Sequence, residues 1–131
     1  SDLLVVSFIE SAIRILRFLH QQGEVQEIAQ LPLSVVKDCY NLMLHTSPVL
    51  LTRHPNGGIF EIIWPERVRF AINDRETLNF RDGDKLYFNR WYEDPDYWEE
   101  TLVRSVQDGA ILERLPGDIR IMPNGERWLI K

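Results

Sequence analysis

The sequence predicts an α+β protein: an N-terminal helical unit with a β-hairpin, packed with a C-terminal β-rich unit that carries one helix. Three observations lead there. Apolar residues recur at three- and four-residue spacing from Leu4 to Leu19 and again from Val35 to Leu44, the period of a helix with a buried face. Pro55-Asn56-Gly57-Gly58 lies between two β-prone runs, a strong hairpin signal. After Pro65 the texture changes to short alternating runs separated by Gly, Asp and Pro turns. The expected units are therefore residues 1–65 and 66–131, of a size that also fits one compact domain.

Taken in order, residues 2–22 read as a first helix. Leu4, Phe8, Ala12, Ile15, Leu16 and Leu19 form its stripe, and Gly23 is its stop. Residues 24–30 form a short amphipathic segment with Val25, Ile28 and Ala29 inward, broken at Leu31-Pro32-Leu33. Ser34 stands at the N-cap of a third helix running to about His45. Val49 to His54 and Ile59 to Trp64 are the two strands of the hairpin. Arg67 to Ile72 alternates as a half-buried strand, and Leu78–Phe80 and Lys85–Trp91 flank the turn Arg81-Asp82-Gly83-Asp84. Asp94-Pro95-Asp96 caps a helix, with Glu99 and Glu100 suited to its positive end, Trp98, Leu102 and Val106 inward and Gly109 at its end. Ala110–Leu115, Asp118–Met122 and Arg127–Ile130 complete the strands. A second Pro-Asn-Gly turn at Pro123 echoes the one at Pro55.

The order helix, Glu27-Ile28-Ala29 segment, Leu31-Pro32-Leu33-Ser34 turn, helix and hairpin resembles the winged helix-turn-helix superfamily, over the N-terminal half only. The resemblance implies a recognition helix that can enter a DNA groove and a wing that touches the backbone. The residues it would use are Ser34, Lys37 and Asn41 on the helix, with Arg53, His54 and Asn56 on the wing. Members of the superfamily also serve as protein-interaction modules.

Charge decides between these uses. The net charge is −5, from 15 basic and 20 acidic residues, and the halves before and after Pro65 carry −2 and −3. A protein that grips phosphates needs a local positive surface, and neither half supplies one in its totals. The expectation is thus a non-enzymatic module that binds protein partners within a nucleic-acid-handling or transcription-regulatory assembly, or itself, as a dimer through the 2–22 helix. The alternative is a dimeric regulator that binds duplex DNA directly. The interface residues expected are Phe8 on the first helix and Tyr92, Tyr97 and Trp98 in an aromatic cluster, since Tyr and Trp dominate interface hot spots.

Chemistry is not signalled. His20, His45 and His54 are dispersed, Cys39 is alone, and no zinc spacing or phosphate loop occurs. The turn acids Asp82 and Asp84 lack a third cation ligand at Leu86, and Asp94 and Asp96 are explained as caps. No catalytic residue, metal or cofactor is expected. No run approaches the roughly 20 apolar residues of a membrane span. No signal peptide is recognised, so the expected compartment is the cytoplasm, or the nucleus where the source has one.

Overall fold

A computed structural model describes residues 3–9, 12–19, 22–36, 40–43, 46, 48–122 and 126–130. Thirteen strands and one four-residue helix make up the described elements, so the fold is all-β. The chain divides into two compact units, 1–39 and 40–131.

The first unit is an antiparallel meander of β1 (Leu3–Ile9), β2 (Ala12–Leu19) and β3 (Glu24–Pro32), followed by the single helical turn α1 (Leu33–Val36). The expected first helix is instead the β1–β2 pair, with Leu3 opposite Phe18 and Ile9 opposite Ala12. The physical reason lies in residue type. Val5, Val6, Ile9, Ile13 and Ile15 are β-branched and favour an extended backbone, where their branched side chains pack on a pleated surface. Ala12, Ile13 and Ile15 are buried. The second expected helix is β3. There Ile15 faces Ala29 while Leu16 faces Glu27, so Ile28 is the extra residue of a β-bulge. That insertion gives Val25, Ile28 and Ala29 their helix-like spacing. Arg14 Nε donates to Glu27 Oε1 at 2.5 Å across β2 and β3.

The expected recognition helix is also absent. Among the described residues of this segment only Leu33–Val36 is helical, and Tyr40–Met43 is a strand paired with β5. One four-residue helix among the described residues does not make a helix-turn-helix. The winged-helix resemblance, the α+β class, the DNA-binding regulator and the dimer through an N-terminal helix are all corrected by this finding, as is the adaptor reading that rested on the same unit.

The second unit has two four-stranded antiparallel meanders and a hairpin. The first sheet runs β4 (Tyr40–Met43), β5 (Leu50–Asn56), β6 (Ile59–Trp64) and β7 (Val68–Ala71). The second runs β8 (Glu76–Asp82), β9 (Lys85–Tyr92), β10 (Trp98–Ser105) and β11 (Ile111–Pro116). The hairpin is β12 (Asp118–Ile121) with β13 (Arg127–Ile130). Asn56 pairs with Ile59, so Gly57 and Gly58 form the β5–β6 turn, at φ of 64° and 75° that glycine adopts without strain.

The expected helix after Asp94 is strand β10. Its residues pair with β9 from Trp98 opposite Tyr92 to Ser105 opposite Lys85. Trp98 and Leu102 are four apart, which fits one face of a helix or one face of a strand equally well. The β-branched Thr101, Val103 and Val106 and the partner strand select the latter.

The two sheets share one core. Leu50, Phe60 and Ile62 of the first sheet meet Leu86, Phe88 and Leu102 of the second, with Ile72 and Val106 closing the cluster. Phe60 and Phe88 meet edge to face at 5.1 Å. Burial of each such side chain stabilises the fold by about 2–3 kcal/mol. The other face of the second sheet, at Phe80, Tyr87 and Val103, packs against Ile119 and Ile121 of the hairpin. A buried ion pair pins the sheet: Arg104 Nε and Nη2 donate to Glu76 at 2.7 and 2.9 Å.

Candidate functional site

At one end of the second sheet the alternation of β9 and β10 puts Arg90 and Tyr92 on the same face as Trp98 and Glu100. The Tyr92 and Trp98 rings stack at 3.9 Å with 6° between their planes. The Arg90 guanidinium lies 4.2 Å from the Tyr92 ring centroid. Two flat groups that close to one ring cannot share a side of it, so Tyr92 is sandwiched and the order is Arg90, Tyr92, Trp98. Trp98 ends the stack. It is 48% exposed, and no other ring or cation meets it among the described residues.

The stack is held from its edges. The Tyr92 hydroxyl donates to Glu100, which raises the phenol's pKa and keeps it protonated as a donor. Arg114 Nη1 donates to both oxygens of Glu100 at 3.0 and 3.1 Å. Arg90 also donates to its neighbour's backbone, the Trp91 carbonyl, at 2.5 Å. Every group around Tyr92 is thereby fixed in orientation, which pre-organises the exposed Trp98 ring.

Beside Trp98 runs a groove of about 350 Å³ lined by Tyr97, Glu99, Pro116, Gly117, Leu129 and Ile130. Its floor is set by the turn between β11 and β12. Thr101 Oγ1 donates to the Gly117 carbonyl at 2.8 Å, and the Gly117 amide donates to the Glu99 carbonyl at 3.2 Å. Gly117 has φ +78°, and a Cβ there would come within 2.3 Å of Leu129 Cδ1. Glu99 is the groove's one carboxylate among the lining residues. It accepts from the Tyr97 hydroxyl at 2.7 Å and from Asn89 Nδ2 at 3.3 Å. The first of these bonds is the main reason the Tyr97 phenol titrates above its ordinary range. Asn89 is 3% exposed, and its Oδ1 is buried without a hydrogen-bond partner among the described residues.

Two other hollows are present in this unit. One, of about 270 Å³, is lined by Asn41, Met43, Arg53 and Phe60 among others. The other, of about 370 Å³, lies between Tyr87, Glu113, Arg127 and Trp128. In the latter, Tyr87 stacks on Phe80, but its ring is covered by Arg127 and buried.

Of the residues expected to touch nucleic acid, Asn41 and Arg53 line one hollow of the second unit. Ser34 is exposed on α1 in the first unit, whereas Asn41, on β4, and Arg53, on β5, belong to the second. Arg53 is paired with Glu61 at 3.0 Å, which cancels its charge. Lys37 and the side chains of His54, Asn56 and Phe8 lie outside the described residues, as do Cys39, His20 and His45. Tyr92, Tyr97 and Trp98 do lie together, with Tyr97 63% exposed. The reasoning from sequence missed Glu99, Glu100, Arg114, Gly117 and Leu129 as their neighbours. It assigned the two glutamates to a helix N-terminus. Reading Trp98 to Arg104 with a period of two would have put Trp98, Glu100 and Leu102 on one face.

Among the described residues no cluster of His, Cys, Asp or Glu could hold a metal ion. No described helix is long and apolar enough to cross a membrane. The sequence matches no protein-family model, and neither curated proteins nor solved structures yield a significant match.

Proposed function

We propose that the 40–131 unit is a non-catalytic binding module for a small ligand, and that its site is the Trp98 ring with the adjoining groove. The observation that carries this reading is the three-layer stack, which holds a large aromatic ring immobile yet half exposed. An exposed Trp ordinarily turns its edge or face against neighbours to lose water contact. Here the neighbours occupy one face and fix the other toward whatever binds. Small-molecule sites combine an apolar and aromatic wall with a few placed polar groups, and the groove has that composition. Glu99 is oriented as an acceptor by the donors it already holds, which suits recognition. The single cysteine supports a reducing compartment, the cytoplasm, as the place of action.

Saturation-transfer NMR with a panel of neutral, anionic and cationic fragments tests the reading on the intact chain and on Trp98→Ala. The expected result is a subset of fragments that bind the parent protein and lose their signal in the variant. Equal hits on both proteins would overturn it. Because Trp98 is half exposed, its removal leaves the core intact, which a urea titration of the variant verifies.

A further inference from the structure

We infer that the Trp98 groove takes a small organic cation, an alkylated ammonium group, as its ligand. The inference rests on the reading of Trp98 as a ligand platform and adds the chemistry of what sits there. A tryptophan face carries the negative pole of the ring quadrupole and is the best aromatic partner for a cation. The same stack already shows the interaction at its other end, where Arg90 covers Tyr92. Trp98 is the unoccupied terminus of that series.

The stretch of chain around Trp98 is acidic. Between Arg90 and Arg104 the chain carries Glu93, Asp94, Asp96, Glu99 and Glu100 and no Lys, Arg or His. Two of these are compensated, Glu93 by Arg75 and Glu100 by Arg114. Glu99 is not: it lines the groove, its hydrogen-bond donors are the neutral Tyr97 hydroxyl and Asn89 amide, and it has no ion pair among the described residues. Asp94 and Asp96 are exposed and likewise unpaired there. By the β9–β10 register Glu99 and the Trp98 ring leave β10 on opposite faces, and both residues border the groove at the start of the strand, where an uncompensated carboxylate repels anions and concentrates cations.

The remaining walls narrow the class of cation. Pro116, Leu129 and Ile130 present hydrocarbon, which satisfies methyl groups, while Glu99 is the one side-chain carboxylate among the lining residues that can accept from an N–H the cation keeps. The volume of about 350 Å³ is that of a small-molecule site. A methylated ammonium on a short chain fits both conditions.

The test uses the intact chain and follows the Trp98 indole N–H by NMR during titration. Choline and tetramethylammonium are the probes. 3,3-Dimethyl-1-butanol, the neutral carbon isostere of choline, is the control, and an oligolysine peptide is the competing occupant. Choline and tetramethylammonium are expected to shift the Trp98 signal saturably, with the isostere at least about fivefold weaker, the value of one cation–π contact. Glu99→Gln is expected to weaken choline while leaving the isostere unchanged. Equal binding of choline and the isostere would overturn the cation inference and leave the platform reading standing. Tighter binding of oligolysine than of choline would overturn the small-molecule inference in favour of a peptide. If no probe and no fragment from the wider panel moves Trp98, the inference and the platform reading fall together.

Discussion

The Glu76–Arg104 pair is the sharpest place to perturb the sheet that carries the site. Both side chains are buried, at 0% and 9% exposure. Glu76 accepts from Arg104 Nε and Nη2 at 2.7 and 2.9 Å, and from the Asn73 amide and side chain at 3.1 and 3.2 Å. Arg104 Nη1 donates to the Gly109 carbonyl at 2.8 Å, and its guanidinium lies 5.7 Å from the Phe88 ring centroid in the core. Glu76→Gln keeps the shape and removes the charge. It leaves a buried guanidinium without its counter-ion and aims an N–H₂ at a donor. Breaking a buried pair from one side costs about 3–5 kcal/mol, and the isosteric change sits near the lower figure. Arg104→Met leaves the carboxylate stranded and costs about the same. The double variant removes both charges, so it costs less than the two singles together by about 2 kcal/mol. All four tryptophans, Trp64, Trp91, Trp98 and Trp128, lie in the 40–131 unit, so urea unfolding followed by Trp fluorescence reports this unit alone. With a slope of about 1–2 kcal/mol/M, each single variant lowers the urea midpoint by about 2 M. Single costs under about 1 kcal/mol with an additive double variant would refute the reasoning.

Three further outcomes follow from the same structure. Gly117→Ala places a Cβ against Leu129 at φ +78° and is expected to cost about 1–3 kcal/mol in urea while reshaping the groove floor; a neutral result would show that β13 does not pack there. Arg81 donates to both oxygens of Glu66 at 2.6 Å, and these bonds are the main cause that holds the Glu66 carboxyl below the usual carboxylate range. A depressed folded-state pKa contributes stability at neutral pH that is lost as pH falls below the ordinary carboxylate value; Glu66→Gln should therefore destabilise at pH 7 and converge with the parent in acid, and an unchanged difference at the two pH values would count against it. Residues 1–39 are expected to give extended-strand secondary chemical shifts over Leu3–Ile9 and Ala12–Leu19 by NMR, and helical shifts across these segments would contradict the β1–β2 pairing.

What could be read in the sequence depended on whether a segment had two valid periods. The turns were legible because their residues have one physical meaning. Gly57-Gly58 supplies positive φ between two strands, Gly83 follows Asp82 at the β8–β9 turn, and Arg127–Ile130 is the strand the residue types suggest. The helices were misread where bulges insert a residue into a two-residue repeat. Ile28 in β3 converts alternation to a three-four spacing. In β10 Trp98 and Leu102 satisfy both periods, and pairing with the preceding strand β9 decides between them. The site suffered for the same reason. Tyr92, Tyr97 and Trp98 stood out as aromatic residues, but their stack with Arg90 and the groove walls from Pro116 and Leu129 come from cross-strand register. Pro116 and Leu129 stand 18 and 31 residues beyond Trp98, and local pattern carries no register over such separations. The charge count pointed away from phosphate binding, and the Arg53–Glu61 pair agrees with it.

The central claim is that Trp98 presents a fixed, open face to a ligand. It is tested most directly by mapping fragment binding onto the four tryptophan indole N–H signals of the intact chain. The account predicts that bound fragments move Trp98, with Leu129 and Ile130 shifting beside it, while Trp64 stays still. Shifts confined to Trp128 or Trp64, with Trp98 unmoved at saturation, would contradict it.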